Sequence, residues 1–164
     1  MHPARFATPM QARLNLVLIV LVLVGALAKI ALVLKPVAVA EAQAQTLPVE
    51  AVAYLNRARP PGPIFNTYNW GGYLIYAAPE YPVYVDGRTD LYGDSFLTRY
   101  LQVATGARGW QADFDNYGIN VALVETSGAL ADNLRERPGW TVAYEDSLAA
   151  VFVREQPNGA QPSP

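Results

Sequence analysis

Ile119-Asn120-Val121-Ala122-Leu123-Val124-Glu125 is a near-continuous apolar run of strand length, and such a strand needs cover on both faces. Its flanks supply the cover. Before it, Trp110, Phe114 and Tyr117 share one helical face and Gly118 provides a stop. After it, Ser127 is placed to cap a helix through Arg137 that turns Leu130 and Leu134 inward, before Pro138-Gly139 ends it. Trp140 to Tyr144 and Leu148 to Arg154 then read as a hairpin around Glu145-Asp146-Ser147.

The same alternation extends upstream. Pro48 suits a first helical turn whose apolar face is Val49, Val52 and Leu55, up to Pro60-Pro61-Gly62. Ile64 to Thr67 reads as a strand. Asn69 can cap a short helix bearing Trp70, Tyr73, Leu74 and Tyr76, stopped by Pro79. Pro82 to Asp86 reads as another strand, and Asp94 can cap a helix in which Phe96 and Tyr100, like Leu97 and Leu101, are i,i+4 neighbours. Strands alternating with helices and then a hairpin predict an α/β domain over residues 47–155. It would be three-layer-like, with a mixed sheet of about five strands and an antiparallel C-terminal hairpin.

Ahead of this domain, Leu14 to Leu34 is a 21-residue apolar run broken only by Asn15, Gly25 and Lys29. At ~1.5 Å per residue such a helix spans a hydrocarbon core of ~30 Å and satisfies its own backbone. Residues 1–13 carry Arg5 and Arg13, while the first acids, Glu41 and Glu50, follow the run. The positive-inside tendency therefore predicts a cytoplasmic N-terminus, a single-pass cell-membrane anchor and an extracytoplasmic domain. Lys29 can snorkel to the interface. Ala38-Val39-Ala40 also resembles a signal-peptide cleavage site, but the apolar run exceeds a typical h-region of ~7–15 residues. Residues 35–46 read as a linker and 156–164, rich in Pro, Gly, Gln, Asn and Ser, as a disordered tail.

Composition removes whole classes of chemistry. There is no cysteine, and the one histidine is His2, so thiolate sites, histidine metal cages and a Ser-His-Asp triad have no material. Beyond Lys35 the chain carries 8 basic residues against 14 acidic, a net of -6, which gives nucleic acid no electrostatic foothold. No catalytic residue is assigned.

Two segments stand out: Phe65 to Tyr73 (Phe-Asn-Thr-Tyr-Asn-Trp-Gly-Gly-Tyr) and Asp86 to Asp94 (Asp-Gly-Arg-Thr-Asp-Leu-Tyr-Gly-Asp). Each begins at the end of a predicted strand, and in a parallel sheet such loops gather at one edge, where ligands bind. Four readings share the acidic loop. Three carboxylates can hold Mg²⁺ or Ca²⁺, although the spacing is not that of an EF-hand. Paired acids can hydrolyse glycosides. Arg88 can grip a phosphate or carboxylate while the acids bond sugar hydroxyls. Alternatively Asp86 and Asp90 order the turn, Arg88 neutralises them and Asp94 caps a helix. Ten of the eighteen aromatic residues lie from Phe65 to Tyr100, suited to stacking on sugars, to a membrane interface or to a core. Gly71-Gly72 allows close helix packing or close ligand approach.

Together with Tyr81-Pro82-Val83-Tyr84-Val85 and the later Tyr117 to Val124 and Trp140 to Arg154, these segments resemble one known module. It is the C-terminal extracytoplasmic domain of bacterial integral-membrane proteins similar to glycosyltransferases of the C superfamily. The resemblance covers about residues 47 to 154, with an apolar helix upstream as in those proteins. It implies dependence on polyprenyl-phosphate sugars and transfer to lipid, glycan or protein acceptors. The family's catalytic acids lie in the first external loop of a many-helix domain that nothing here matches. The expectation is thus an accessory, acceptor-binding or sugar-lipid-binding module in envelope glycan transfer, with Trp70, Tyr73, Asp86, Arg88, Asp90 and Asp94 as contact residues and no assigned cofactor. Its partners would be the bilayer, a polytopic membrane protein, and a polyprenyl-phosphate sugar or glycan. A C-terminal fragment of a polytopic transferase, or a structural subunit of a membrane complex, are the alternative expectations.

Overall fold

The computed structural model describes residues 9–33, 40 and 43–155. Arg5, most of the predicted linker, the Ala38-Val39 part of the cleavage-like site and the 156–164 tail lie outside the described residues. The chain divides into two units between Gln43 and Ala44.

The first unit contains helix α1 (Pro9–Val33), 25 residues long and apolar around its whole circumference. Its length of ~37 Å exceeds the ~30 Å hydrocarbon core. A helix apolar on every side needs an apolar surrounding, and α1 is long and apolar enough to find it in a bilayer.

The second unit is an α/β domain of three layers. Its elements run α2 (Val49–Ala58), β1 (Ile64–Asn66), α3 (Gly71–Ala77), α4 (Asp94–Ala104), α5 (Trp110–Asn116), β2 (Val121–Glu125), α6 (Ala129–Glu136), β3 (Trp140–Glu145) and β4 (Ala149–Arg154). The sheet order is β1-β2-β4-β3, with β1 and β2 parallel and the other neighbours antiparallel. The strand period of two sorts the sheet side chains onto two faces. Phe65, Ala122, Val124, Ala150 and Phe152 pack with Tyr100 and Val103 of α4, Trp110 and Phe114 of α5, and Leu130 and Leu134 of α6. Ile64, Val121, Leu123, Ala149 and Val151 pack with Ala51, Val52 and Leu55 of α2 and with Trp70 and Leu74. The apolar run read at β2 is covered on both sides, as its composition requires.

The sheet has four strands rather than about five. Pro82 to Asp86 lies alongside the free edge of β1 but forms no ladder with it. The buried side chain of Asn66 takes the place of a paired strand. Its Oδ1 accepts from Tyr84 N at 2.8 Å and Val85 N at 3.4 Å. Its Nδ2 donates to Val85 O at 2.8 Å and Thr67 O at 3.0 Å. Both amide protons and both carbonyl lone pairs are therefore used. Pro82, lacking an N–H, contributes to the same outcome.

The helix starts also differ from the sequence reading. Gly93 and Gly128 are the caps of α4 and α6, so Asp94 sits inside the first turn and Ser127 just outside the helix. Asn69 falls within a 3₁₀ turn, Tyr68–Trp70, that leads into α3. Gly118, at φ 62, does turn the chain from α5 into β2. In the hairpin turn, Asp146 Oδ1 accepts from Leu148 N at 2.7 Å and Ala149 N at 2.8 Å, an Asx-type closure of the loop.

Candidate functional site

Because β1 and β2 are parallel, the segments following them emerge at the same sheet edge. Thr67 N donates to Leu123 O at 3.1 Å, which keeps the exit from β1 close against β2. At this edge a cleft of about 420 Å³ opens between the strand ends, α4 and the start of α6. Its apolar wall includes Phe65, Leu97, Leu101, Val124 and Leu130. Its polar groups are Thr67, Tyr68, Asn69, Thr89 and Glu125. An apolar cavity with a few convergent polar groups at the C-terminal edge of parallel strands is where α/β folds bind small molecules.

Tyr100, a buried residue of α4, lines the cleft. Its ring stacks on Phe65 at 5.6 Å, and its hydroxyl oxygen accepts from Tyr68 N at 2.7 Å. That bond fixes the entry of the 3₁₀ turn. Burial pushes the Tyr100 phenol above its ordinary value, so it stays protonated at neutral pH and keeps its own hydrogen to donate.

The six residues singled out by sequence do not form one cluster. Trp70 is buried in the core on the α2 side, and its indole N–H donates to Thr46 O at 3.0 Å. Tyr73 packs half-buried on that same side. Asp86 is buried and binds Arg88: Nε lies 3.0 and 3.1 Å from the two carboxylate oxygens, Nη2 2.6 Å from Oδ2, and the Arg88 backbone N 2.9 Å from Oδ1. Asp90 and Asp94 are exposed. Of the acidic loop, Thr89 lines the cleft. Among the described residues no group of three acidic or histidine side chains is arranged to hold a metal ion.

Hydrogen bonds from the Arg88 side chain, against the opposing effect of burial, bring the Asp86 carboxyl from 3.8 down to about 2. A depressed carboxyl stabilises the fold above its unfolded value and loses that contribution as pH falls through its folded one. Wild-type thermal stability is therefore expected to drop between about pH 4 and about pH 2, and Asp86→Asn to flatten that drop. Circular-dichroism melts of the full chain across this range check it; equal slopes would place the acid sensitivity elsewhere.

Gly71 and Gly72 have separate roles. A Cβ on Gly71 would come within 2.7 Å of Asp86 Cα and closer still to Val85 O, whereas one on Gly72 meets nothing. The glycine pair thus serves close packing through Gly71, and it presses the two sequence segments together at Val85-Asp86.

The cleft lies at the sheet edge where the sequence predicts the two segments to gather, but its lining differs from the residues singled out there. Tyr100, Leu101 and Glu125 were legible as helix-face or strand residues, and only the tertiary fold brings them beside Thr67 and Thr89. No protein-family model matches the chain, and no curated protein or solved structure does either.

Proposed function

We propose that this chain is a membrane-anchored, extracytoplasmic module of a glycosyltransferase-like protein, binding an acceptor glycan or a sugar-lipid in envelope glycan transfer. The observation that carries the reading is the cleft at the β1/β2 edge, where the rings of Tyr68 and Tyr100 and an aliphatic wall meet the polar groups of Thr67, Asn69, Thr89 and Glu125, in a chain with a bilayer-length helix. Sugars present apolar ring faces and a polar rim, and this lining offers partners for both. α1 holds the chain in the cell membrane with its N-terminus cytoplasmic, following Arg13 on the inner side. The transfer chemistry belongs to a polytopic partner, and the module presents the ligand to it. The resemblance of the Asn69 to Tyr73 and Asp86 to Asp94 segments adds to this reading.

The contacts proposed for this ligand are Tyr68, Asn69, Leu101 and Glu125, which line the cleft, in place of Trp70 and Tyr73, which pack against the core on the α2 side. Full-length protein in nanodiscs, titrated with a polyprenyl-phosphate hexose and with a free trisaccharide, should bind at least one of them. Tyr68→Ala is expected to weaken binding about five- to tenfold, as befits a lost aromatic contact worth about 1 kcal/mol. Leu101→Ala, at an exposed wall position that leaves the fold intact, should weaken it by a smaller factor. Unchanged binding by both folded variants would reject the cleft.

A further inference from the structure

We infer that the cleft selects an uncharged, hydroxyl-bearing ring and rejects phosphate, with Glu125 as the residue that sets this preference. The inference rests on the cleft being the ligand site and narrows what enters it: the glycosyl part of a ligand, not the phosphate of its carrier.

Charge is the first argument. Among the residues lining the cleft Glu125 is the one that is formally charged at neutral pH, and none is cationic. The arginines flanking the lining segments are paired elsewhere, beginning with Arg99 beside Tyr100, whose Nη1 lies 3.4 Å from Asp113 Oδ1. Arg88, next to Thr89, is held by Asp86 through three side-chain contacts. Arg135 binds Asp132, Glu145 and the backbone oxygen of Thr126. Each of these arginines is matched or outnumbered by carboxylates, which leaves Glu125 as the formal charge on the described lining. A phosphate entering it would face a like charge with no guanidinium to receive it, whereas phosphate sites are built on arginine, lysine or free backbone N–H groups.

The start of α6 is the one feature that could draw an anion. Gly128, its cap, and Leu130 line the cleft, and a helix N-terminus carries partial positive charge. Glu125 already answers it. It stands three residues ahead of the cap, its backbone oxygen accepts from Gly128 N at 3.0 Å, and its side chain lies beside Gly128. A carboxylate carried by a residue this close to the cap opposes the approach of a second anion there.

Hydrogen-bonding capacity is the second argument. A carboxylate accepts from two hydroxyls at once, the geometry that adjacent hydroxyls of a sugar offer. Thr67 and Thr89 add hydroxyls that donate or accept, and Asn69 adds an amide that does both. Tyr68 supplies a ring face, and the neutral Tyr100 phenol a further donor. This set suits a polyol and leaves a phosphate's oxygens short of charged donors.

The test uses the full chain in nanodiscs of uncharged lipid, titrated with methyl glycosides of glucose, galactose and mannose and with the matching sugar 1-phosphates. Saturation-transfer NMR and tyrosine fluorescence report binding. At least one glycoside should bind, and its 1-phosphate should bind at least tenfold more weakly at low salt. Glu125→Gln, an exposed isosteric change that keeps the fold, should weaken the glycoside several-fold and narrow the gap to the phosphate. Phosphates binding as tightly as glycosides, or a gap unchanged in Glu125→Gln, overturns the inference while leaving the cleft as the site. Loss of all binding dependence on Tyr68 and Leu101 overturns the cleft itself, and with it this proposal.

Discussion

Gly71→Ala is expected to cost about 3 kcal/mol or more and to lower the melting temperature of the domain by roughly 10–20 °C. The added methyl has nowhere to go. Its position lies 2.7 Å from Asp86 Cα and 2.8 Å from Asp86 Cβ, with Val85 O nearer still. These are backbone and Cβ atoms rather than a flexible tip, and Val85 O is also held by Asn66 Nδ2 at 2.8 Å. Gly71 itself has φ -57 and ψ -43, ordinary right-handed helix, so alanine there meets no dihedral penalty and the whole cost is steric. Gly72→Ala is the internal control. It is exposed, nothing lies within 4 Å of its would-be Cβ, and alanine should stabilise α3 by up to ~1 kcal/mol. Chemical denaturation of the two variants, followed by near-ultraviolet circular dichroism, should move in opposite directions. Equal behaviour would mean that α3 does not press on Val85-Asp86.

That contact changes the meaning of the two segments that read most strongly as a site. Gly71 lies in one and Asp86 opens the other, so much of their shared residue pattern is a packing requirement between neighbours. Trp70 follows the same logic. The 3₁₀ turn before α3 sends it into the core and donates its indole N–H to Thr46 O, where the chain enters the domain. A sequence shows that aromatic residues and glycines are concentrated; it does not show which way a one-turn 3₁₀ segment rotates them.

The α/β architecture, by contrast, was open to reading wherever local pattern decides the outcome. The apolar run at Val121–Glu125 requires two covering layers, and the turn at Gly118 and the Trp140 to Arg154 hairpin follow from their own residues. Reading failed where a distant side chain replaced a local signal. Val83 to Asp86 has strand composition, yet its partner is a single carboxamide. Asp94 and Ser127 have cap composition, yet Gly93 and Gly128 take the extended cap conformation beside them. The cleft failed for the same reason, since Thr67, Thr89, Leu101 and Glu125 come from four separate parts of the chain.

Asn66→Ala tests the carboxamide directly and is expected to cost about 2–4 kcal/mol. The side chain is fully buried, and its loss strands the N–H of Tyr84 and the carbonyl of Val85 away from their partners. Each buried polar group left unpaired costs roughly 1–3 kcal/mol, more than the net value of the bond itself. Leucine, similar in volume, should not restore stability, because the deficit is in hydrogen bonds and not in packing. Amide hydrogen exchange at Tyr84 and Val85 should accelerate in Asn66→Ala more than at Val121–Glu125, where the ladder with β4 is untouched. Asn66 and Gly71 act on the same carbonyl, so their effects should couple. Once Asn66 no longer holds Val85 O, the segment can retreat from a methyl at residue 71, and the double variant should be less destabilised than the two single losses added together. Strict additivity would show that the two residues fix different things, and that the Val85-Asp86 backbone is positioned by neither acting on the other.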